Sequence, residues 1–260
     1  MSLSKQQKLA IEAVLKKSLR YKFQNHNPEP ASMPFHTRLL GKDRLALYAF
    51  IHSLNTNFGT TIFEPVAKVL ASNNFKTVLS QQVAGIEISS EAHIVIQNII
   101  DNLSTATSSP NKPVEIESIR KVCQKGQMGK VKLTKVDIKL VSKNEIIYLF
   151  DLKTAKPNAG GFKEFKRTLL EWVAASLATD PKAKIETIIA IPYNPYEPEP
   201  YNRWTMRGMI DLKNELKVAN EFWDFIGGKG AYEDLLKCFE NVGIEMRSEI
   251  DDFFSRFNNK

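Results

Sequence analysis

The stretch Ile146–Leu152, IIYLFDL, constrains the fold more than any other part of the chain. Its first five residues are apolar at odd and even positions alike. Side chains alternate across a strand, so both faces of this one are covered and it lies inside a sheet. The run ends on Asp151, with Lys153 two positions on. Unpaired charge at the end of a buried strand is costly, so these groups must be partnered or used.

Upstream, Val131–Val141 alternates and is β-rich, carries Asp137, and is joined to the buried strand by the polar turn Ser142–Glu145. Asp151 and Lys153 are two apart and point to one face. Asp137 joins that face only in certain registers. Pairing Ser142 with Glu145 across a two-residue loop sets Asp137 opposite Phe150. Pairing Ser142 with Ile146 across the three-residue loop Lys143–Glu145 sets Asp137 directly opposite Asp151. Three-residue loops are common in hairpins, and Asn144 tolerates the left-handed conformation that one requires.

Two carboxylates beside a lysine form a compact apparatus for metal-dependent phosphodiester chemistry. Carboxylate oxygens are the hard ligands that Mg2+ prefers. The metal activates water and stabilises the leaving oxygen, while a lysine positions or deprotonates the water and offsets developing charge. An exposed hairpin of alternating charge is the plainer alternative. The apolar run and the surrounding charge oppose it. From Lys112 to Arg167 there are 14 Lys/Arg against 6 Asp/Glu, while the rest of the chain has 22 against 23. The chain's net +7 is thus confined to one segment around the hairpin, the footprint of a polyanion binder.

The remaining elements suggest an α/β protein. Gln7–Arg20, Asp43–Leu54, Glu64–Ala71, Ser89–Leu103 and Phe162–Leu177 have helical periodicity. Asn55–Thr61 reads as a turn, Asn25–Pro34 and Ser104–Pro113 as loops. Lys184–Ile191 is a buried strand stopped by Pro192, and Pro192–Asn202 is irregular. From Ala219 the chain is helical, broken at Gly227-Gly228. A mainly helical region, 1–110, precedes a core with a helical C-terminus, 111–260, the two forming one compact domain. No run is long and apolar enough for a membrane helix. The charged start lacks a signal-peptide core, and Cys123 and Cys238 have no CxxC spacing, which fits a cytoplasmic protein with free thiols. The four histidines show no metal spacing, Gly227–Gly230 lacks a phosphate-loop pattern, and no GxSxG occurs.

Asp137 and Asp151-Leu152-Lys153 resemble the PD-(D/E)xK nuclease pattern, with Val136 where proline often stands. With FGTTIFEPVAKVLA (Phe58–Ala71), DLKTAKPNAGGFKEFKRTLLEWVA (Asp151–Ala174), IPYNPYEPEPYNRW (from Ile191) and VANEFWDFIGG (to Gly228), the ordered series is similar to the TdeIII family of type II restriction endonucleases from about residue 35 onward. The resemblance implies a restriction-endonuclease-like mixed β-sheet flanked by helices. It implies Mg2+-dependent cleavage of both strands of double-stranded DNA at a short palindromic site, GGNCC among the family's specificities. It also implies a homodimer in a prokaryotic cytoplasm, paired with a cognate DNA methyltransferase. Asp137, Asp151 and the Leu152 carbonyl then serve as metal ligands, Lys153 as a catalytic group, and Glu64 as a third acid. Thr61–Glu64 also has the form of a capping box, which leaves Glu64 an alternative role at a helix start.

For DNA, Lys130, Lys132 and Lys135 precede the first aspartate, and Lys156, Lys163, Lys166 and Arg167 follow the second. These types at these places suit backbone positioning. Gly160-Gly161 would let the next helix approach a phosphate closely. Arg203, Trp204 and Arg207 follow the proline-rich loop and could reach base edges, arginine pairing well with guanine. Two other functions share these features: a repair, recombination or transposition nuclease of the same fold, and a DNA-binding protein without activity.

Overall fold

A computed structural model describes residues 3–26, 33–153, 155–157, 159–202, 206 and 208–258. Arg203, Trp204 and Arg207 lie outside them. The chain forms a five-stranded mixed sheet flanked by helices, as a restriction-endonuclease-like fold requires.

The strands are β1 (Thr77–Gln82), β4 (Val136–Val141), β5 (Ile146–Leu152), β6 (Lys184–Ile191) and β7 (Leu216–Val218), in that spatial order. β5 is central, as its two apolar faces demand. It pairs antiparallel with β4 and parallel with β6; β1 joins β4 antiparallel, and β7 joins β6 parallel. The β4–β5 hairpin adopts the three-residue loop, with Ile138 opposite Phe150 and Val141 opposite Ile147. The left-handed residue is Glu145, at φ +59°, and not Asn144. Glu145 is the last loop residue, where the chain must turn back into β5 after the Glu145 N–H to Ser142 O turn bond.

Two short strands, β2 (Glu87–Ser89) and β3 (Met128–Lys130), form a separate antiparallel ribbon. Between them lie α5 (Ser90–Ser104) and α6 (Lys112–Arg120). Ser89 caps α5, its Oγ accepting from the Ala92 N–H. These two helices and α7 (Phe162–Thr179) cover one sheet face through Ile96, Ile119, Leu169 and Val173. α1 (Lys5–Asn25), α4 (Glu64–Ala71), α8 (Asn220–Gly227) and α9 (Ala231–Glu245) cover the other, around Ile138, Phe150 and Trp223. The first hundred residues thus contribute the strand β1, and α1 packs on α9 near the far end of the chain. α10 (Arg247–Asn258) follows.

α2 (Pro34–Leu40) leads into α3 (Lys42–Phe58), and α3 passes into α4 through a π-helical segment, Gly59–Phe63, so the turn expected over Asn55–Thr61 is helical instead. Here the Glu64 N–H reaches back five residues to Gly59 O. Pro65 explains the widening. It has no N–H to donate and its ring crowds the preceding turn, and a π-turn absorbs such a residue without ending the helix.

Candidate active site

The C-terminal ends of β5 and β6 open into a cavity of about 680 Å³ lined by Glu64, Thr134, Asp137, Asp151, Lys153, Lys156 and Tyr193. Ends of parallel strands are where open α/β sheets place their ligands. The hairpin register carries Asp137 to the position opposite Asp151, so both acids face the cavity. Asp137 Oδ2 accepts from the Leu152 N–H at 2.8 Å, which locks the two strand ends together. Lys153 Nζ lies 2.8 Å from Asp151 Oδ1 and 4.5 Å from the centre of the Phe165 ring. That ring packs against Gly161, where an added Cβ would come within 2.8 Å of it. The glycine therefore makes room for the aromatic platform under Lys153, a role the sequence pattern did not reveal.

Glu64 is buried, at 5% exposure. Its carboxylate does not cap a helix: no side-chain cap bond is present at the start of α4, and Oε1 instead accepts from Gln81 Nε2 at 2.9 Å. The same nitrogen donates to Asp137 Oδ1 at 3.1 Å. The capping-box alternative is thereby replaced by a contact chain from Glu64 through Gln81 to Asp137. Gln81 was missed by sequence reasoning, since TVLSQQ carries no pattern that marks its third polar residue.

Burial raises the proton affinity of all three acids. Asp151 is pushed up to about 6 by burial, which outweighs the opposing ammonium of Lys153; nearby Asp137 adds to the rise. Asp137 is raised by burial against the Leu152 N–H, Lys153 and Gln81, and Glu64 by burial against its Gln81 hydrogen bond. Such a cluster gains from a cation. Among the described residues, no three His, Cys, Asp or Glu groups are gathered tightly enough to cage a metal alone. Mg2+ needs no such cage, because it keeps several waters and binds through one or two carboxylates. The hard-oxygen donors Asp137 and Asp151 fit that requirement.

Residues 3–243 match the family described as "Type II restriction endonuclease, HinfI". The chain belongs to this family. Type II restriction enzymes are site-specific deoxyribonucleases acting on double-stranded DNA. The HinfI-family chain is 26% identical to the type II restriction enzyme MjaII of Methanocaldococcus jannaschii, over 99% of this chain and 76% of that one. It is 24% identical to HgiCII of Herpetosiphon aurantiacus, covering 84% and 80%. With HgiBI of the same organism it shares 23% identity over 94% and 91%. All of these bear the name type II restriction enzyme, the class that the TdeIII resemblance also names.

The basic residues divide once placed in this endonuclease. Lys130 on β3, Lys132 and Lys135 before β4, Lys156 beside the cavity and Lys163 in the first turn of α7 are exposed. Lys156 Nζ sits 5.1 Å from the centre of the Tyr196 ring. Arg167 is half-buried and donates to Gln97 Oε1 at 2.9 Å. Lys166 is not a DNA contact. It is fully buried and pairs with Glu115 at 2.5 Å and Glu215 at 2.6 Å. Its place on the stripe Phe162–Lys166–Leu169–Val173 was the available signal. Both cysteines are buried and free, and no helix among the described residues is long and apolar enough to cross a membrane.

Proposed function

We propose that this enzyme hydrolyses DNA phosphodiester bonds with Mg2+ and makes double-strand breaks at a short palindromic site. One observation carries the reading: Asp137 and Asp151 are in register on neighbouring strands, with Lys153 beside them at the mouth of the cavity. The carboxylates of Asp137 and Asp151 hold the metal, with the Leu152 carbonyl as a further oxygen donor. Bound Mg2+ supplies an activated water and stabilises the leaving oxygen. Lys153, fixed by Asp151 and Phe165, keeps positive charge beside the phosphate and orients the water. Glu64 is the third acid.

Lys130, Lys132, Lys156, Lys163 and Arg167 position the DNA backbone, and Arg203 reads a base edge. The TdeIII resemblance makes GGNCC the first site to test. One acidic cluster cuts one strand, so a break in both strands of a symmetric site calls for a two-fold homodimer. The aromatic residues Phe222 and Trp223 of the C-terminal helices are buried in the core, whereas Phe35 and Leu39 on α2 are 84% and 82% exposed. That contrast favours the N-terminal helices as the dimer face. The enzyme works in a prokaryotic cytoplasm beside a methyltransferase that protects its site.

The test is digestion of a plasmid in Mg2+, followed by sequencing of fragment ends. Discrete fragments with one shared end sequence are expected, and they vanish with a chelator. Nicked circles or smears would overturn the restriction-type cleavage. An unchanged plasmid would overturn the catalytic assignment.

A further inference from the structure

Gln81 belongs to none of the motifs that mark the nuclease site, yet its backbone is the anomaly of the sheet. Among the described residues only Gln81, Ala106, Glu145 and Ala219 have positive φ without being glycine. Ala106 follows a helix, Glu145 closes a hairpin and Ala219 precedes α8; Gln81 alone stands within a strand, at φ +56°. The β1–β4 register pairs Ser80 with Ile138 and Gln82 with Val136, and skips the intervening pair, Gln81 and Asp137. A residue that is neither glycine nor asparagine holds this conformation only when its surroundings impose it.

Its side chain meets two carboxylates. Gln81 Nε2 donates to Glu64 Oε1 at 2.9 Å and to Asp137 Oδ1 at 3.1 Å. A carboxamide NH2 has two protons, and two acceptor-only groups take them. Glu64 comes from the start of α4 and Asp137 from β4, and no backbone hydrogen bond ties one acid to the other. An uncharged double donor between them offsets their mutual repulsion without occupying the place of a cation.

We propose that Gln81 is a positioning residue: it holds Glu64 beside Asp137 in the metal-free enzyme and thereby sets the affinity of the site for divalent cations. This rests on the reading of Asp137 and Asp151 as metal ligands. The strained φ is then the cost of aiming one amide at two acids, and outer groups that orient ligands tune metal affinity.

The experiment is calorimetric titration of the full chain with Mn2+ alone, without DNA, for wild type, Gln81→Gly, Glu64→Gln, the double variant and Asp137→Asn. Glycine suits φ +56° and keeps this backbone conformation, so Gln81→Gly should melt at or above the wild-type temperature while binding Mn2+ about tenfold more weakly. Glu64→Gln should weaken binding similarly, and the double variant no further than the single. Wild-type affinity in Gln81→Gly, or losses that add in the double variant, would reduce Gln81 to a structural residue of β1 while leaving the metal site standing. No binding by wild type, or full binding by Asp137→Asn, would instead overturn the site reading and this inference with it.

Discussion

Two clusters of buried charge lie on this sheet, and they are built on opposite terms. At the C-terminal ends of β5 and β6 lie three acids, Glu64, Asp137 and Asp151, with one ion pair among them, Lys153 to Asp151. On the face under α6 and α7, Lys112 and Lys166 meet Glu115 and Glu215, two cations against two anions, with bonds of 2.5–2.9 Å. Burial alone would raise Glu215, but the two ammonium groups bring it below the usual carboxylate range. Burial raises Asp151 to about 6 because one lysine does not compensate it. The balanced cluster is closed and holds elements together. The unbalanced one opens onto a cavity and is short of positive charge. The deficit, rather than the presence of buried charge, marks the candidate functional site.

The largest effect should come from the unbalanced cluster. Asp137→Ala, Asp151→Ala or Lys153→Ala should each cut plasmid cleavage by about a thousandfold, about 4 kcal/mol of barrier, with the fold retained by circular dichroism. DNA binding in gel shift should survive or tighten, because repulsion of the phosphate falls. Near-normal cutting by Asp151→Ala would sink the contrast at its functional end.

The balanced cluster should respond in stability instead. Glu215→Gln leaves two buried ammonium groups facing one acid and should cost about 3–5 kcal/mol in urea unfolding. Lys166→Ala should cost a similar amount for the complementary reason. If Lys166→Ala folds as well as wild type and only weakens DNA binding, the ion cluster is not what holds this face.

Acidity sharpens the comparison further. In the metal-free protein Asp151 takes up its proton at about 6, well above its unfolded value. Its stabilising contribution is therefore full below about pH 4 and is lost as pH rises through about 6, by up to about 3 kcal/mol. Asp151→Asn removes this loss. Melting curves from pH 4 to 8 should show wild type falling relative to the variant. Parallel curves would mean that Asp151 is compensated after all.

The smallest effect concerns surface cations that belong to neither cluster. Lys163→Ala or Lys156→Ala should weaken binding to any duplex and lower the log–log salt slope by about one. An unchanged slope would remove that lysine from the DNA path.

Much of the acidic site was legible, because a hairpin's parity is arithmetic: the apolar run fixed β5 as central, and one loop length put Asp137 opposite Asp151. Strand β6 was readable for the same reason. Asn144 misled because its type tolerates the left-handed region, whereas the loop's geometry assigns that region to Glu145. Lys166 misled because charge was read by type, although its spacing placed it on the buried stripe of α7. β1, β7 and Gln81 were not legible. β1 lacks a clear alternation, β7 is three residues long, and the side chain of Gln81 is bound by groups 17 and 56 positions away.

The docking of α1 against α9 bears on how a cell survives making such a protein. The Leu3 N–H donates to Asp234 Oδ2 at 2.8 Å, a bond spanning 231 positions, and Lys8 pairs with the same carboxylate. α4, which carries Glu64, packs against both α1 and α8. While the ribosome is still making the first two hundred residues, α1 has no α9 to close on and α4 has no α8. The wall of the cavity that holds Glu64 is therefore completed only late in synthesis. An emerging nascent chain carries its aspartates in a site whose frame is unfinished.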